Sequence, residues 1–468
     1  MPILDHDRLL PIDNTTRNIA RDLYESVTEL PIISPHGHTD PAWFANNEAF
    51  HDPAQLFITP DHYIFRMLFS QGISLEELGI PHKDGSLGKR DGRDIWRTFA
   101  KHYYLFSATP SQLWMDHALA NVFGVTESLS ADTADIIYEH VAACLSKPAY
   151  KPRALFDRFK IEALATTDAA LDPLAHHQTI ANATWSGRVI PTYRPDSIID
   201  PDTPTFDANI QTLGELTGQD THTWEGYLEA HRIRRAFFKS RGATSTDHGH
   251  ANPFTANLNT SAAATLFRKV ISGQGSEQDH TLFRAQMLTE MAGMSIEDGL
   301  VMQLHPGSHR NHCSSIYNSF GLDKGFDIPK AVDYTAALQP LLNKHGLNPE
   351  LTLIIFTLDE TTYSRELAPL AGAYPALKIG PAWWFFDSPD GMRRYREATT
   401  ETAGFYNTVG FNDDTRAFCS IPARHDVARR VDCAYLATLV VTGRLTLKDA
   451  AQIAHDLTYR LAKQAYKL

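Results

Sequence analysis

Eight short runs rich in apolar or β-branched residues recur along the chain, and each closes on polar groups. They are LPIISPHGH (30–38), IEALATTD (161–168), RVIPTYR (188–194), GATSTDHGH (242–250), GLVMQLHP (299–306), LTLIIFTLDE (351–360), ALKIGPAWW (376–384) and YNTVGFNDDTR (406–416). Helix-like stretches lie between most of them. One spans 224–240, another spans 279–293 and closes near Gly293 and Met294. At the end of the chain, Thr446 and Asp449 resemble a capping box, followed by Leu447, Ala450, Ala454, Leu457 and Leu461 at helical spacing. Strands alternating with helices predict parallel βαβ units, and eight of them predict an α/β fold of the (β/α)8 TIM-barrel type. In such a barrel the C-terminal ends of the strands build the active site. His36, His38, Asp168, Arg194, Asp247, His248, His305, Trp383, Asp414 and Arg416 are then expected at one mouth.

One interval breaks the rhythm. Residues 39–160 are far too long for a βα connection, and they read as helical at 60–72, 95–106, 110–124 and 132–145. An all-helical insertion after strand 1, capping the active site, is expected within a single domain spanning 1–468.

The first strand poses a chemical question. Alternate residues of an extended segment project to one side, so His36 and His38 can converge on a metal ion. A strand-8 carboxylate, Asp413 or Asp414, would complete three ligands, because strands 1 and 8 are neighbours in a closed barrel. Composition narrows the setting. The net charge of -12 disfavours nucleic acid and anionic membrane surfaces as partners. No apolar run reaches membrane-spanning length, and the polar N-terminus lacks a signal pattern. The four cysteines show no paired spacing and read as free thiols, so a cytoplasmic location is expected.

The ordered motifs resemble the uronate (glucuronate) isomerases of the amidohydrolase superfamily over essentially the whole chain. They are HGH at His36 and His38, DHY…R…G at Asp61, His62, Tyr63, Arg66 and Gly72, PTYRPD with Arg194, and DHG with Asp247 and His248. QLH…RN follows with His305, Arg310 and Asn311, then WWFFDSPDGM and DDTRAFCSIPARHD. The family usually reads TDSR where this chain has DDTR, and alignment on the arginine selects Asp414 over Asp413. His309 and His312 are read as loop residues.

The resemblance implies interconversion of an aldohexuronate with its 2-keto isomer: D-glucuronate with D-fructuronate, and D-galacturonate with D-tagaturonate. Proton transfer between C2 and C1 would pass through a cis-enediol. Asp414 is the expected base, Tyr63 its relay partner, and His62 lies beside them in sequence. Arg194 and Arg310 would bind the anionic and hydroxyl groups of the substrate, Asp247 its hydroxyls, and Arg416 would orient Asp414 or touch the substrate. Trp383 is expected in the pocket wall. His36, His38 and Asp414, with His305 as a fourth candidate, would hold one divalent ion, zinc by ligand preference, with no organic cofactor. One aspartate is then asked to be both ligand and base. The expected partner is a small sugar acid, and the expected assembly a homo-oligomer. Two alternatives remain at this point: a metal-dependent hydrolase of lactones or amides on the same barrel, and a non-catalytic sugar-acid binding protein. Strand 6 ends in TLDE without the histidine a hydrolase commonly carries there.

Overall fold

The computed structural model describes residues 3–86 and 91–468; residues 87–90, inside the expected insertion, lie outside the description. Its strands are β1 (Ile32–Ser34), β2 (Ile161–Ala165), β3 (Asp168–Ala169), β4 (Arg188–Ile190), β5 (Tyr193–Arg194), β6 (Ser245–His248), β7 (Val301–Leu304), β8 (Ser308–His309), β9 (Ile328–Pro329), β10 (Leu353–Ile355) and β11 (Leu377–Ile379). They form an α/β fold with two parallel sheets, ordered β1-β2-β4 and β11-β10-β7-β6-β5-β3, while β8 and β9 pair antiparallel by themselves.

The two parallel sheets continue into each other. Backbone bonds from Thr166 N to Ile190 O (2.9 Å) and from Asp168 N to Thr192 O (3.0 Å) carry the ladder across the breaks inside the second and third predicted strands. The segment predicted as the eighth strand, 406–416, makes only one bridge, Thr408 with Ile379. It departs from ladder geometry where Asp414 adopts a left-handed backbone (φ +38°). Even so, its far end is tied to the first strand's loop, with His38 N donating to Thr415 O at 3.1 Å.

The helices follow their local signals closely. Trp224–Ser240 begins and ends where the pattern predicts, with Thr223 as N-cap. The next predicted helix runs longer, Glu277–Asp298, passing through Gly293 to stop at Gly299 in a left-handed C-cap. Both its ends are well capped and much of its length is buried, so packing outweighs the low helical propensity of one glycine. The described residues of the 39–160 interval contain no strand and a series of helices, including Pro53–Phe57, His62–Phe69, Gly92–Lys101, Pro110–His117 and Ala134–Leu145. These helices share an apolar cluster with Ile32, Ile161, Leu164 and Val189 of β1, β2 and β4, and therefore pack directly against one edge of the sheet system. A second cluster joins β5, β7, β10 and β11 to their flanking helices. All four cysteines are free thiols. No described helix is long and apolar enough to cross a membrane.

Candidate active site

The ends of the strands surround a cavity of about 700 Å³, whose lining includes His36, His38, His62, Tyr63, Arg194, Asp247, His305, Arg310, Trp383, Asp414 and Arg416. Eleven residues from distant sequence segments therefore meet at one place. Two of the polar strand endings do not join them. Asp168 is buried behind the wall, accepting from Thr166 Oγ1 at 2.7 Å. His248 points away too, into a buried pocket where its ring stacks near His250. Both side chains fall on the opposite side of a β-strand from their cavity-facing neighbours, a parity that depends on the register.

Asp414 lies at the centre. Its Oδ1 is 3.5 Å from His36 Nε2 and 3.3 Å from His38 Nε2, and its Oδ2 accepts from Trp383 Nε1 at 2.5 Å. Burial alone would raise its pKa, but His36, His38 and His305 together hold it far below the ordinary carboxylate range. The group is anionic at neutral pH. Its left-handed backbone is costly for a residue with a Cβ, about 1–2 kcal/mol, and is sustained by restraints on either side. Arg424 Nη1 donates to the Asp413 carbonyl (3.3 Å), and His38 N to the Thr415 carbonyl (3.1 Å).

A second charged chain runs across the floor. His305 Nδ1 and Asp247 Oδ1 are 2.6 Å apart, and Asp247 Oδ2 is 3.2 Å from Arg194 Nη1. Arg194 Nε also donates to Asp196 Oδ2 at 2.7 Å. The His305 ring stacks on His36 (4.4 Å) and on Phe356 (3.9 Å). Desolvation would raise the pKa of Asp247, but His305, Arg194 and His36 hold it well below its ordinary value. Asp247 thereby fixes the ring orientation of His305 and compensates Arg194.

The donor set fits a metal ion. One ligand atom each from His36, His38 and Asp414 falls within 4.8 Å of the others, and the same holds for His36, Asp247 and His305. His36 Nδ1 and His305 Nε2 are buried without a hydrogen-bond partner. Burial lowers the pKa of both imidazoles, opposed by Asp414 and Asp247, and it is the neutral imidazole that donates a lone pair to a metal.

Above the cavity, Asp61 caps the helix His62–Phe69 and so brings His62 and Tyr63 to its first turn. The two rings stack at 4.7 Å. Burial, with Arg416 adding, pushes His62 down to about 3. Burial also raises the Tyr63 hydroxyl, with Asp387, Asp414 and Asp61 adding to the effect. His62 is neutral, and Tyr63 keeps its proton until a partner takes it. Arg310 pairs with Asp327 (3.0 Å), and Arg416 with Asp323 (3.0 Å). Arg416 thus reaches across to the 308–329 loop and bonds Asp323 there rather than Asp414.

A profile of the glucuronate isomerase family matches residues 7–466. The chain belongs to that family. It is 62% identical over 466 residues to the uronate isomerase of Rhizobium meliloti (strain 1021), covering 100% of this chain and 99% of that protein. The crystal structure of glucuronate isomerase from Caulobacter crescentus superimposes with a TM-score of 0.98 at 56% identity, covering 100% of this chain and 98% of that one. Uronate isomerase from Thermotoga maritima superimposes with a TM-score of 0.92 at 27% identity and 99% coverage of each chain. Family membership selects an isomerase over the hydrolase and binding-protein alternatives.

Five residues that hold the expected ones in place escaped the sequence reading. Asp196 lies two residues beyond Arg194 within PTYRPD, and the proximity of the two was a usable signal. Asp323 and Asp327, in GLDKGFD, carry no motif that marks them. Asp387 and Arg424 stand inside two family-like segments, but their pairing across 37 positions was not readable.

Proposed function

We propose that the chain interconverts D-glucuronate with D-fructuronate, and D-galacturonate with D-tagaturonate, by moving a proton between C2 and C1 of the open-chain sugar through a cis-enediol. Full-length membership of the glucuronate isomerase family is the observation that carries this reading.

Asp414 is the proposed base. Its two oxygens divide the duties that one aspartate had to share: Oδ1 faces His36 and His38, while Oδ2 faces Trp383. A carboxylate with so low a pKa is always ready to accept a proton but is a weak base. The site must therefore acidify the C2–H by stabilising the oxygens of the enediol. Tyr63 supplies an un-ionised hydroxyl in the same cavity as Asp414 that can pass a proton to an oxygen as charge develops. Because one carboxylate serves both carbons from one face, transfer is suprafacial, as a cis-enediol requires. A divalent ion, with zinc suited to imidazole and carboxylate donors, would be held by His36, His38 and Asp414 with His305 alongside, and would polarise the substrate carbonyl when bound.

Arg310 and Arg416, partly exposed over the cavity and each paired with one acid, are placed to receive the C6 carboxylate. Arg194 is already committed to two acids and is better suited to hydroxyls and to holding Asp247 in place. The same reading takes the parallel strands as a closed (β/α)8 barrel in one domain, with 39–160 as a helical cover. The bonds that link 406–416 to β11 and to the loop after β1 support closure.

Incubation of purified protein with D-glucuronate and with D-galacturonate, followed by ¹H NMR in D2O, tests the proposal. Formation of both 2-keto acids is expected, and the absence of ketose from either substrate would remove it.

A further inference from the structure

Arg424 stands in the first helical turn of Ile421–Val441, and its bond to the Asp413 carbonyl is only one of its contacts. Its side chain is 1% exposed and that of its partner Asp387 is 4% exposed, so the pair is desolvated. Nη1 donates to Asp387 Oδ2 and to the Asp413 carbonyl (3.3 Å), and Nε donates to Ser420 Oγ (3.2 Å). The guanidinium also lies over two rings of the helical interval, with its carbon 3.4 Å from the Trp114 centroid and 5.4 Å from that of Tyr63. Asp387 follows the turn Trp384–Phe386 and so anchors the segment that carries Trp383, the donor to Asp414.

Each contact bears on a reacting group through an intermediary. The Asp413 carbonyl belongs to the peptide unit that leads into Asp414, and fixing that plane fixes the frame about which the left-handed φ of +38° is set. The Tyr63 ring comes from a different part of the chain, 39–160, and is held against the same guanidinium by its face. Arg424 is the group that both the base's loop and the hydroxyl's helix touch.

We propose that Arg424 is a positioning residue for the isomerisation, aligning the Asp414 carboxylate and the Tyr63 hydroxyl on one another. The inference rests on the isomerase reading above. A planar guanidinium can reach a carboxylate, a carbonyl and two ring faces at once, whereas an ammonium can neutralise Asp387 but cannot span the rest. Mere compensation of Asp387 is thus met by lysine, and alignment is not.

The test is Arg424→Lys alone and in a Tyr63→Phe background, with kcat and KM measured on D-glucuronate. Arg424→Lys is expected to lower kcat by about tenfold or more with KM within about twofold, because an alignment that matters only in the transition state leaves binding intact. In the Tyr63→Phe background there is no hydroxyl to align, so the same change should cost less than about threefold. An unchanged kcat in Arg424→Lys, or a loss that persists undiminished without the hydroxyl, would overturn the proposal. If Arg424→Lys fails to fold, Asp387→Asn, which loosens the anchor at constant shape, is read the same way. Asp414→Asn run in parallel separates the two levels: activity surviving there removes the assignment of the base itself, whereas an Asp414-dependent enzyme indifferent to Arg424→Lys removes only the positioning role.

Discussion

Trp383 donates its indole N–H to Oδ2 of Asp414 at 2.5 Å, on the side of the carboxylate away from His36 and His38. The bond aims the free lone pair of that oxygen and keeps the carboxylate from rotating. Trp383→Phe keeps an aromatic ring edge-on to His305 but removes the donor. A fall in kcat of roughly tenfold to a hundredfold is expected, since hydrogen bonds to charged groups contribute about 1.5–3 kcal/mol. Metal content should not change, whereas replacing both His36 and His38 with alanine should lower it. Steady-state kinetics beside metal analysis of the purified variants gives both readings, and parallel losses of metal and activity in Trp383→Phe would contradict the division of roles.

Neighbouring aspartates should separate cleanly. Asp414→Asn is expected to abolish isomerisation with a native melting temperature, because an amide cannot accept the C2 proton. Asp413, which alignment on the arginine passes over, is 1% exposed and 3.0 Å from His425 Nε2. Asp413→Asn should therefore lose stability, by about 1–3 kcal/mol, and still turn over at temperatures where it is folded. Denaturation curves and kcat for the two variants decide the register of NDDTR.

The arginines differ in what their removal strands. Arg194→Met leaves Asp196 and the fully buried Asp247 without their cation, which should cost about 3–5 kcal/mol of stability. Arg310→Met strands only Asp327, at a pair whose arginine is one-third exposed. Its expected signature is a selective fall in kcat/KM on uronates, roughly tenfold or more, with a much smaller change on any neutral hexose that is turned over. Equal losses on charged and neutral sugars would assign Arg310 to the fold.

Asp168 offers a pH test remote from the chemistry. Burial, partly offset by the hydroxyl of Thr166, pushes its carboxyl from 3.8 up to about 7. Between those values the folded chain holds a proton that the unfolded chain has released, so the group costs stability as pH rises through the window. Asn at this position mimics the protonated acid. The melting temperature of Asp168→Asn relative to the unsubstituted protein should rise from about pH 4 to pH 7 and level off above it. A difference that stays flat from pH 5 to pH 8 would mean that Asp168 is ionised in the fold.

Much of the site was legible because its residues close apolar runs, and a strand that ends on histidine or aspartate announces a mouth. Runs of apolar and β-branched residues located most of the parallel strands, a helix-like stretch located Trp224–Ser240, and the ordered motifs named the family. Tertiary structure decided the partners. Whether Asp168 or His248 faces the cavity depends on strand register, which local pattern does not determine. The bonds of Arg416 to Asp323, of Trp383 to Asp414, and of Arg424 to Asp387 join segments 31 to 93 positions apart. A charge in the sequence states only that it needs a counter-charge or water. Which carboxylate is buried beside it, and therefore which pKa moves and which oxygen is left free to react, is settled only when the chain closes around them.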